Sequence, residues 1–189
     1  MPTDELSFWF TGKMKKVLPS LTFVLGGAAS GKSVVSENLT VNSGLKPLYI
    51  ATSRVFDDEM QAKINMHLSR RDASWTTHDA PKDVGVVLQS CTRDQAVLLD
   101  CATMWLTNVM LDGGDVPEAQ VRLLQALAAC AAPVVVVSNE VGQGIVPENA
   151  LARQFREAQG RLNIALAAQA DCVIHVVAGL SHVLKGAHP

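Results

Sequence analysis

The stretch that most constrains the fold of this chain is the eight-residue segment GGAASGKS at positions 26–33. It follows a run with strand character, LTFVL at positions 21–25, and precedes residues compatible with a helix. The spacing G-x-x-x-x-G-K-S in a strand–loop–helix context is that of a phosphate-binding loop. The glycines let backbone N–H groups turn towards an oxyanion without a Cβ in the way. The segment predicts a nucleotide site formed by Gly26, Gly27, Ala28, Ala29, Ser30, Gly31, Lys32 and Ser33.

Two side chains of this loop have predicted roles. Lys32 is expected to reach the outer phosphates, and the hydroxyl of Ser33 to hold Mg²⁺. The positive end of the helix that starts near Lys32 adds its dipole to the attraction for an anion. A glycine-rich turn without a ligand would leave the adjacent Lys-Ser pair unexplained, so phosphate binding is the favoured interpretation.

Composition restricts the classes of protein and partner. A chain of 189 residues that is 48% hydrophobic suits one buried core. We expect an N-terminal extension over residues 1–20 and a single nucleotide-binding transferase domain over residues 21–189. A net charge of -2 argues against nucleic-acid binding. The longest apolar run, 126–137, contains Pro133 and is too short to span a bilayer, so no membrane anchor is expected. Isolated cysteines favour a reducing cytoplasm.

Apolar runs alternate with helical patterns along the rest of the chain. The runs at 48–52, 96–100 and 133–137 are typical of strands in a parallel sheet that is covered on both faces. The alternation predicts an α/β, P-loop NTPase-like fold with a doubly wound, mostly parallel sheet and helices on both faces. Pro81 is expected in the first turn of a helix that extends towards residue 90, and Pro147 is expected to begin a helix that ends near residue 168. A closing strand is predicted at 171–178, with residues 179–189 trailing off.

Polar residues at strand ends form the next group of candidates, because ligands of open parallel sheets bind at the carboxyl ends of the strands. Thr52 and Ser53 are candidate nucleotide contacts, although an ordinary polar strand exit explains them equally well. Asp100 ends a buried run and is the natural partner of Ser33 for Mg²⁺. Glu140 ends another run and could orient a hydroxyl or a metal-bound water.

A helix is predicted from Asp57 to about Arg71. On it Lys63, His67 and Arg70 share one face. A histidine between two cations is neutral more often at physiological pH, and neutral imidazole is a nucleophile. A solvated basic face is the other interpretation, and the residues alone favour it.

With these motifs, the chain resembles the bifunctional adenosylcobinamide kinase and adenosylcobinamide-phosphate guanylyltransferase family of cobalamin biosynthesis. The resemblance covers about residues 21–185. It rests on GGAASGKS at 26–33, LYIATS at 48–53, DDEMQAKINMHLSRR at 57–71, VLLDCATMWLTN at 97–108 and SNEVGQGIVPENALARQFREAQGRLN at 138–163. One departure is Ala29, where many relatives have Arg.

The resemblance implies an enzyme with two transfers. The first phosphorylates adenosylcobinamide with ATP or GTP. The second moves GMP from GTP onto the resulting phosphate, through a histidine that carries GMP, and releases pyrophosphate. The matching histidine is His67, with Lys32 as the second catalytic residue. A cytoplasmic homotrimer that uses Mg²⁺ is implied as well.

The resemblance also places GTP contacts outside the loop. These are Ala51, Thr52, Ser53, Arg70, Arg71, Asp72, Ala73, Asp79 and Asp100. Two other functions stay open at this point: a P-loop kinase for another small alcohol, and a nucleotide-gated binding protein.

Overall fold

The computed structural model describes residues 17–54 and 71–189. Its strands are β1 (Leu21–Gly26), β2 (Lys46–Ala51), β3 (Thr76–Asp79), β4 (Gln95–Asp100), β5 (Val134–Asn139), β6 (Cys172–Val177) and β7 (Leu180–Lys185). Its helices are α1 (Lys32–Asn42), α2 (Val84–Ser90), α3 (Ala102–Leu111), α4 (Val116–Ala129) and α5 (Ala150–Gln169). Residues 57–70 of the predicted helix at 57–71, and residues 1–16 of the predicted extension at 1–20, lie outside the described residues.

The strands form one sheet in the order β3-β2-β4-β5-β1-β6-β7. Every neighbouring pair is parallel except β6 and β7. One face packs on α1 through residues such as Val24, Leu98 and Leu39, and the other packs on α2 to α5 through residues such as Leu99 and Leu162. The predicted α/β sheet with helices on both faces is therefore confirmed.

The interior position of β1 in the sheet determines where a ligand can bind. β1 pairs with β5 on one side and with β6 on the other. Its last residue, Gly26, lies opposite Asn139 of β5 and Val176 of β6. The loop that follows β1 therefore leaves an interior strand at the carboxyl edge of the sheet, where parallel sheets bind ligands.

Two predicted helix starts are wrong. α2 begins at Val84, so Pro81 lies before the helix and not in its first turn, and α5 begins at Ala150 rather than at Pro147. The carbonyl of Pro81 instead accepts a hydrogen bond from the Asn108 side chain, at 3.0 Å. Asn149 caps α5 by accepting from the N–H of Ala152, at 3.1 Å. In both places the proline fits the connection before the helix as well as it would fit the first turn.

The C-terminal segment does not trail off as predicted, because β7 pairs with β6 as an antiparallel hairpin. The turn consists of Ala178 and Gly179, with φ angles of 51° and 79°. Positive φ at both positions is the requirement of a type I′ hairpin turn. The N–H of Gly179 donates to the carbonyl of Ser30 at 2.8 Å, so this hairpin supports the loop after β1.

Within residues 17–54 and 71–189, no helix combines the length and apolar character needed to cross a bilayer.

Candidate nucleotide site

The loop between β1 and α1 has the backbone shape that an anion site needs. The N–H of Ser30 donates to the carbonyl of Gly27 at 3.3 Å, which closes a turn. Gly31 has a φ of 95° and precedes the first residue of α1. No side chain of the described residues caps this helix end. The first N–H groups of α1 and its dipole are thus directed at the space inside the loop, where a phosphate would satisfy them.

Lys32 lies inside this loop. Its Nζ donates to the carbonyl of Gly27 at 3.0 Å, and only 9% of the residue is exposed. Burial lowers the pKa of the ammonium group, and the Asp100 carboxylate acts in the opposite direction. Asp100 is therefore near enough to Lys32 for their charges to interact. The loop therefore combines a cation from the start of α1 with a nearby carboxylate from the end of β4.

The hydroxyl of Ser30 is buried and has no hydrogen-bond partner among the described residues. A Cβ on Gly26 would lie 2.5 Å from this oxygen and 2.6 Å from the carbonyl of Val176. Gly26 therefore lets the loop fold back onto the end of β1. Buried hydroxyls are nearly always hydrogen-bonded, so an unpartnered one inside this loop fits a site that a phosphate oxygen completes.

Gly31→Ala is expected to lower the free energy of unfolding by about 1–2 kcal/mol, because an L-residue is strained at its positive φ. The added Cβ would also lie 3.0 Å from the Cα of Gly179. The matched control is Gly27→Ala, since a Cβ there meets nothing within 4 Å. Urea unfolding of both variants checks this, and equal losses would contradict the role assigned to Gly31.

Asp100, at the end of β4, fits the Mg²⁺ role predicted for it. β5 separates β4 from β1, and the side chain accepts a hydrogen bond from the Tyr49 hydroxyl at 3.2 Å. Ser33 is half-buried in the first turn of α1. A carboxylate and a hydroxyl are hard oxygen ligands, and Mg²⁺ commonly takes one or two protein ligands together with substrate phosphates.

Arg71 contacts Tyr49, the residue whose hydroxyl donates to Asp100. Its guanidinium lies 3.5 Å from the centre of the Tyr49 ring, and Trp75 packs edge-on against that ring at 6.3 Å. Burial, and then the charge of Asp100, raise the pKa of Tyr49 above its usual value, so the phenol stays protonated and can donate. The contact stacks a cation on the face of an aromatic ring. Tyr49 was not among the residues predicted from the sequence. Its position on β2, two residues before the candidate contact Ala51, was the signal that could have identified it.

Three other predicted residues flank or end β3: Asp72 and Ala73 come before its first residue, and Asp79 is its last. Asp72 is exposed and accepts from both the N–H and the hydroxyl of Ser74, which hold its pKa below the usual value. Ala73 is exposed, and Asp79 is exposed at the end of β3, opposite Ala51. His67 and Arg70 lie outside the described residues.

Thr52 is fully buried, and its hydroxyl holds two strand ends together. It donates to the carbonyl of Cys101 at 2.8 Å and accepts from the N–H of Cys101 at 2.7 Å. The carbonyl of Thr52 accepts from the Asn108 side chain at 2.7 Å. These bonds fix the end of β2 against the residue that follows Asp100. Ser53, the next residue, is half-buried.

Thr52→Val is expected to lower the free energy of unfolding by about 1–3 kcal/mol, because it leaves the buried N–H of Cys101 without a partner. Valine keeps the shape of the side chain, so packing changes little. Thr52→Ser, which keeps the hydroxyl, is the control. A urea midpoint for Thr52→Val equal to that of the unsubstituted protein would contradict this role.

Comparison with known proteins places the chain in a family. The family model described as cobinamide kinase / cobinamide phosphate guanyltransferase matches residues 22–184. The chain belongs to this family. The family name describes a transferase with two activities, and the resemblance expected from the sequence motifs is confirmed.

Two curated relatives of the family match over nearly their whole lengths. The bifunctional adenosylcobalamin biosynthesis protein CobU of Salmonella typhimurium is 42% identical over 181 residues, which is 87% of this chain and 99% of that protein. The bifunctional adenosylcobalamin biosynthesis protein CobP of Pseudomonas aeruginosa is 39% identical over 166 residues, with 86% and 96% covered.

Among solved structures, an ATPase from the type III secretion system of pathogenic bacteria has a TM-score of 0.56. It is 10% identical, and the match covers 87% of this chain and 57% of the ATPase. At that identity the likeness concerns the fold alone, and it agrees with the predicted P-loop NTPase-like sheet.

Proposed function

We propose that the loop at residues 26–33 holds the nucleotide for both reactions of the cobinamide kinase / guanyltransferase family, and that His67 carries GMP in the second. The observation that carries the proposal is the buried Lys32, whose Nζ donates to the carbonyl of Gly27 within the loop and whose charge interacts with that of Asp100. Both reactions are displacements at a phosphorus atom of a nucleoside triphosphate, so one cradle for the phosphates serves both.

In the first reaction the hydroxyl oxygen of adenosylcobinamide attacks the γ-phosphorus of ATP or GTP. A new O–P bond forms, and the bond from the γ-phosphorus to the bridging oxygen breaks, so that the nucleoside diphosphate leaves with the electron pair. Lys32 and the N–H groups at the start of α1 stabilise the charge that develops on the phosphate oxygens. Ser33 and Asp100 are the residues that would hold Mg²⁺, which neutralises charge on the outer phosphates.

In the second reaction an imidazole nitrogen of His67 attacks the α-phosphorus of GTP. The bond to the β-phosphate breaks, and pyrophosphate leaves while Lys32 and the loop hold it. The phosphate of adenosylcobinamide phosphate then displaces the imidazole and takes the GMP. Nucleophilic catalysis of this kind divides one transfer into two easier displacements.

Three further properties belong to this proposal. The enzyme is a homotrimer and works in the cytoplasm, as the family resemblance and the isolated cysteines indicate. Its substrates are adenosylcobinamide and adenosylcobinamide phosphate. The charge of -2 supports the expectation that nucleic acid is not a ligand.

Labelled GTP tests the proposal directly. We expect the protein to retain label from the α-position of GTP, in an acid-labile and base-stable bond, and to retain none from the γ-position. Peptide mapping should place the label on His67, and adenosylcobinamide phosphate should discharge it. A protein that phosphorylates another alcohol but never takes up α-label would be a simple P-loop kinase. Tight GTP binding without pyrophosphate release would indicate a nucleotide-gated binding protein.

A further inference from the structure

We propose that Glu140 is the general base of the kinase reaction, and that His175 and Gln143 are its positioning residues. This inference rests on the proposed function, because it assigns the group that receives the hydroxyl proton of adenosylcobinamide.

Glu140 lies directly beside the start of the phosphate loop. It follows β5, and its backbone N–H donates to the carbonyl of Gly26 at 3.1 Å. His175 comes from the other side, since it lies opposite Leu25 on β6. The Nε2 of His175 and the Oε2 of Glu140 are 3.4 Å apart. The pair therefore bridges the end of β1, the strand that carries the loop.

The carboxylate is oriented and still accessible. Its Oε2 faces His175, and its Oε1 accepts from the Nε2 of Gln143 at 2.6 Å. About 29% of the Glu140 side chain and 28% of the His175 side chain are exposed. Each carboxylate oxygen has two lone pairs, so one on each remains for a substrate proton. A group held by neighbours but open to solvent on one side suits proton transfer.

The backbone that presents Glu140 is fixed by side chains of two helices. The N–H of Asn139 donates to the hydroxyl of Thr103 at 2.8 Å, and its carbonyl accepts from the amide of Asn163 at 3.1 Å. The preceding residue of β5, Ser138, is also held, because its hydroxyl accepts a hydrogen bond from the side-chain amide of the fully buried Gln159 at 2.9 Å. Support of this kind holds a catalytic group in one place.

Asp100, the other acidic strand end, is less suited to this task. It accepts a hydrogen bond from Tyr49 and interacts with the charge of Lys32. Asp100 is also the carboxylate proposed to hold Mg²⁺, so its oxygens already have other partners. In the kinase step the proton moves from the hydroxyl oxygen to Glu140 as the O–P bond forms, and it passes later to solvent. The second reaction starts from phosphate that is already ionised, so it needs no such base.

Glu140→Gln tests the inference, because it keeps the side chain's size and removes its basicity. We expect kcat of the kinase reaction to fall by about 10²-fold or more. GMP transfer from GTP to adenosylcobinamide phosphate should stay within about threefold. Glu148→Gln, in the same connection between β5 and α5, is the matched control and should leave both rates unchanged. Thermal unfolding of each variant checks the fold.

His175 is tested through the carboxylate that it orients. His175→Leu should lower kcat of the kinase reaction about tenfold while the KM for nucleotide is retained. His175→Gln keeps an N–H donor and should recover most of that loss. A merely structural role would not produce this pattern.

The outcomes separate the inference from the function on which it rests. If the unsubstituted protein forms adenosylcobinamide phosphate and Glu140→Gln does so at the same rate, the inference is wrong and the proposed function stands. Equal losses in both reactions for a folded Glu140→Gln variant would also overturn the inference. If the unsubstituted protein makes no adenosylcobinamide phosphate, the proposed kinase function fails and the inference with it.

Discussion

Lys32→Met is expected to lower kcat of both the kinase and the GMP-transfer reactions by about 10²–10³-fold, the usual loss when one electrostatic contact to a transition state is removed. Both reactions are affected because each places negative charge on phosphates held by the same loop. The fold should survive, since methionine fills the space of the lysine stem. Burial lowers the pKa of Lys32, which means that the folded protein disfavours its charged form. The free energy of unfolding should therefore stay equal or rise.

The matched control is Lys46→Met. Lys46 is exposed at the start of β2, where it forms an ion pair with Asp94 at 2.8 Å. As the first residue of β2, Lys46 lies at the amino edge of the sheet, away from the carboxyl edge that carries the phosphate loop. Both rates should therefore be unchanged. Steady-state rates for the two reactions, together with thermal unfolding, provide the measurement. If Lys32→Met lost one reaction and kept the other, the two transfers would not share the loop.

The phosphate loop and the strands could be predicted because their signals are local. A loop of this kind needs particular glycines, a lysine and a hydroxyl in a fixed spacing, and GGAASGKS supplies all of them within eight residues. The four valines at 134–137 are buried on both faces of the sheet, so they form an uninterrupted apolar run. Asp100 was predicted at the site because it ends such a run.

The errors arose where a local signal allows two structures. A proline before a helix fits the first turn and the connection equally well, so Pro81 and Pro147 did not fix the helix starts. The C-terminal hairpin was also not predicted, because its turn begins with Ala178 at positive φ. Alanine seldom adopts that conformation, so only Gly179 and the alternating residues of β7 could have indicated the turn.

Contacts between distant parts of the chain could not be predicted. Arg71 reaches the site by stacking on Tyr49, and the pairing of β2 with β3 and β4 is what brings these residues together. The hydroxyl of Thr52 is used by Cys101, which lies 49 residues further along the chain. Spacing along a sequence carries no information about such partners, because they depend on which strands become neighbours.

His67→Asn is expected to abolish the GMP adduct and to lower GMP transfer to adenosylcobinamide phosphate by a factor on the order of 10⁴ or more, as for removal of other covalent nucleophiles. Asparagine is close to imidazole in size near the backbone, but its amide nitrogen is not nucleophilic. Phosphorylation of adenosylcobinamide uses no histidine adduct, so that reaction should stay within about threefold.

Mass spectrometry after exposure to GTP measures the adduct, and separate assays measure the two transfers. His78→Asn is the matched control, because His78 is an exposed histidine on β3 and should leave the adduct in place. The covalent route and the charge stabilisation by Lys32 are separable: Lys32→Met slows both reactions, whereas His67→Asn removes only one. An adduct that persists in His67→Asn would mean that another residue is the nucleophile. Loss of both transfers in a folded His67→Asn variant would mean that this histidine also helps to bind the nucleotide.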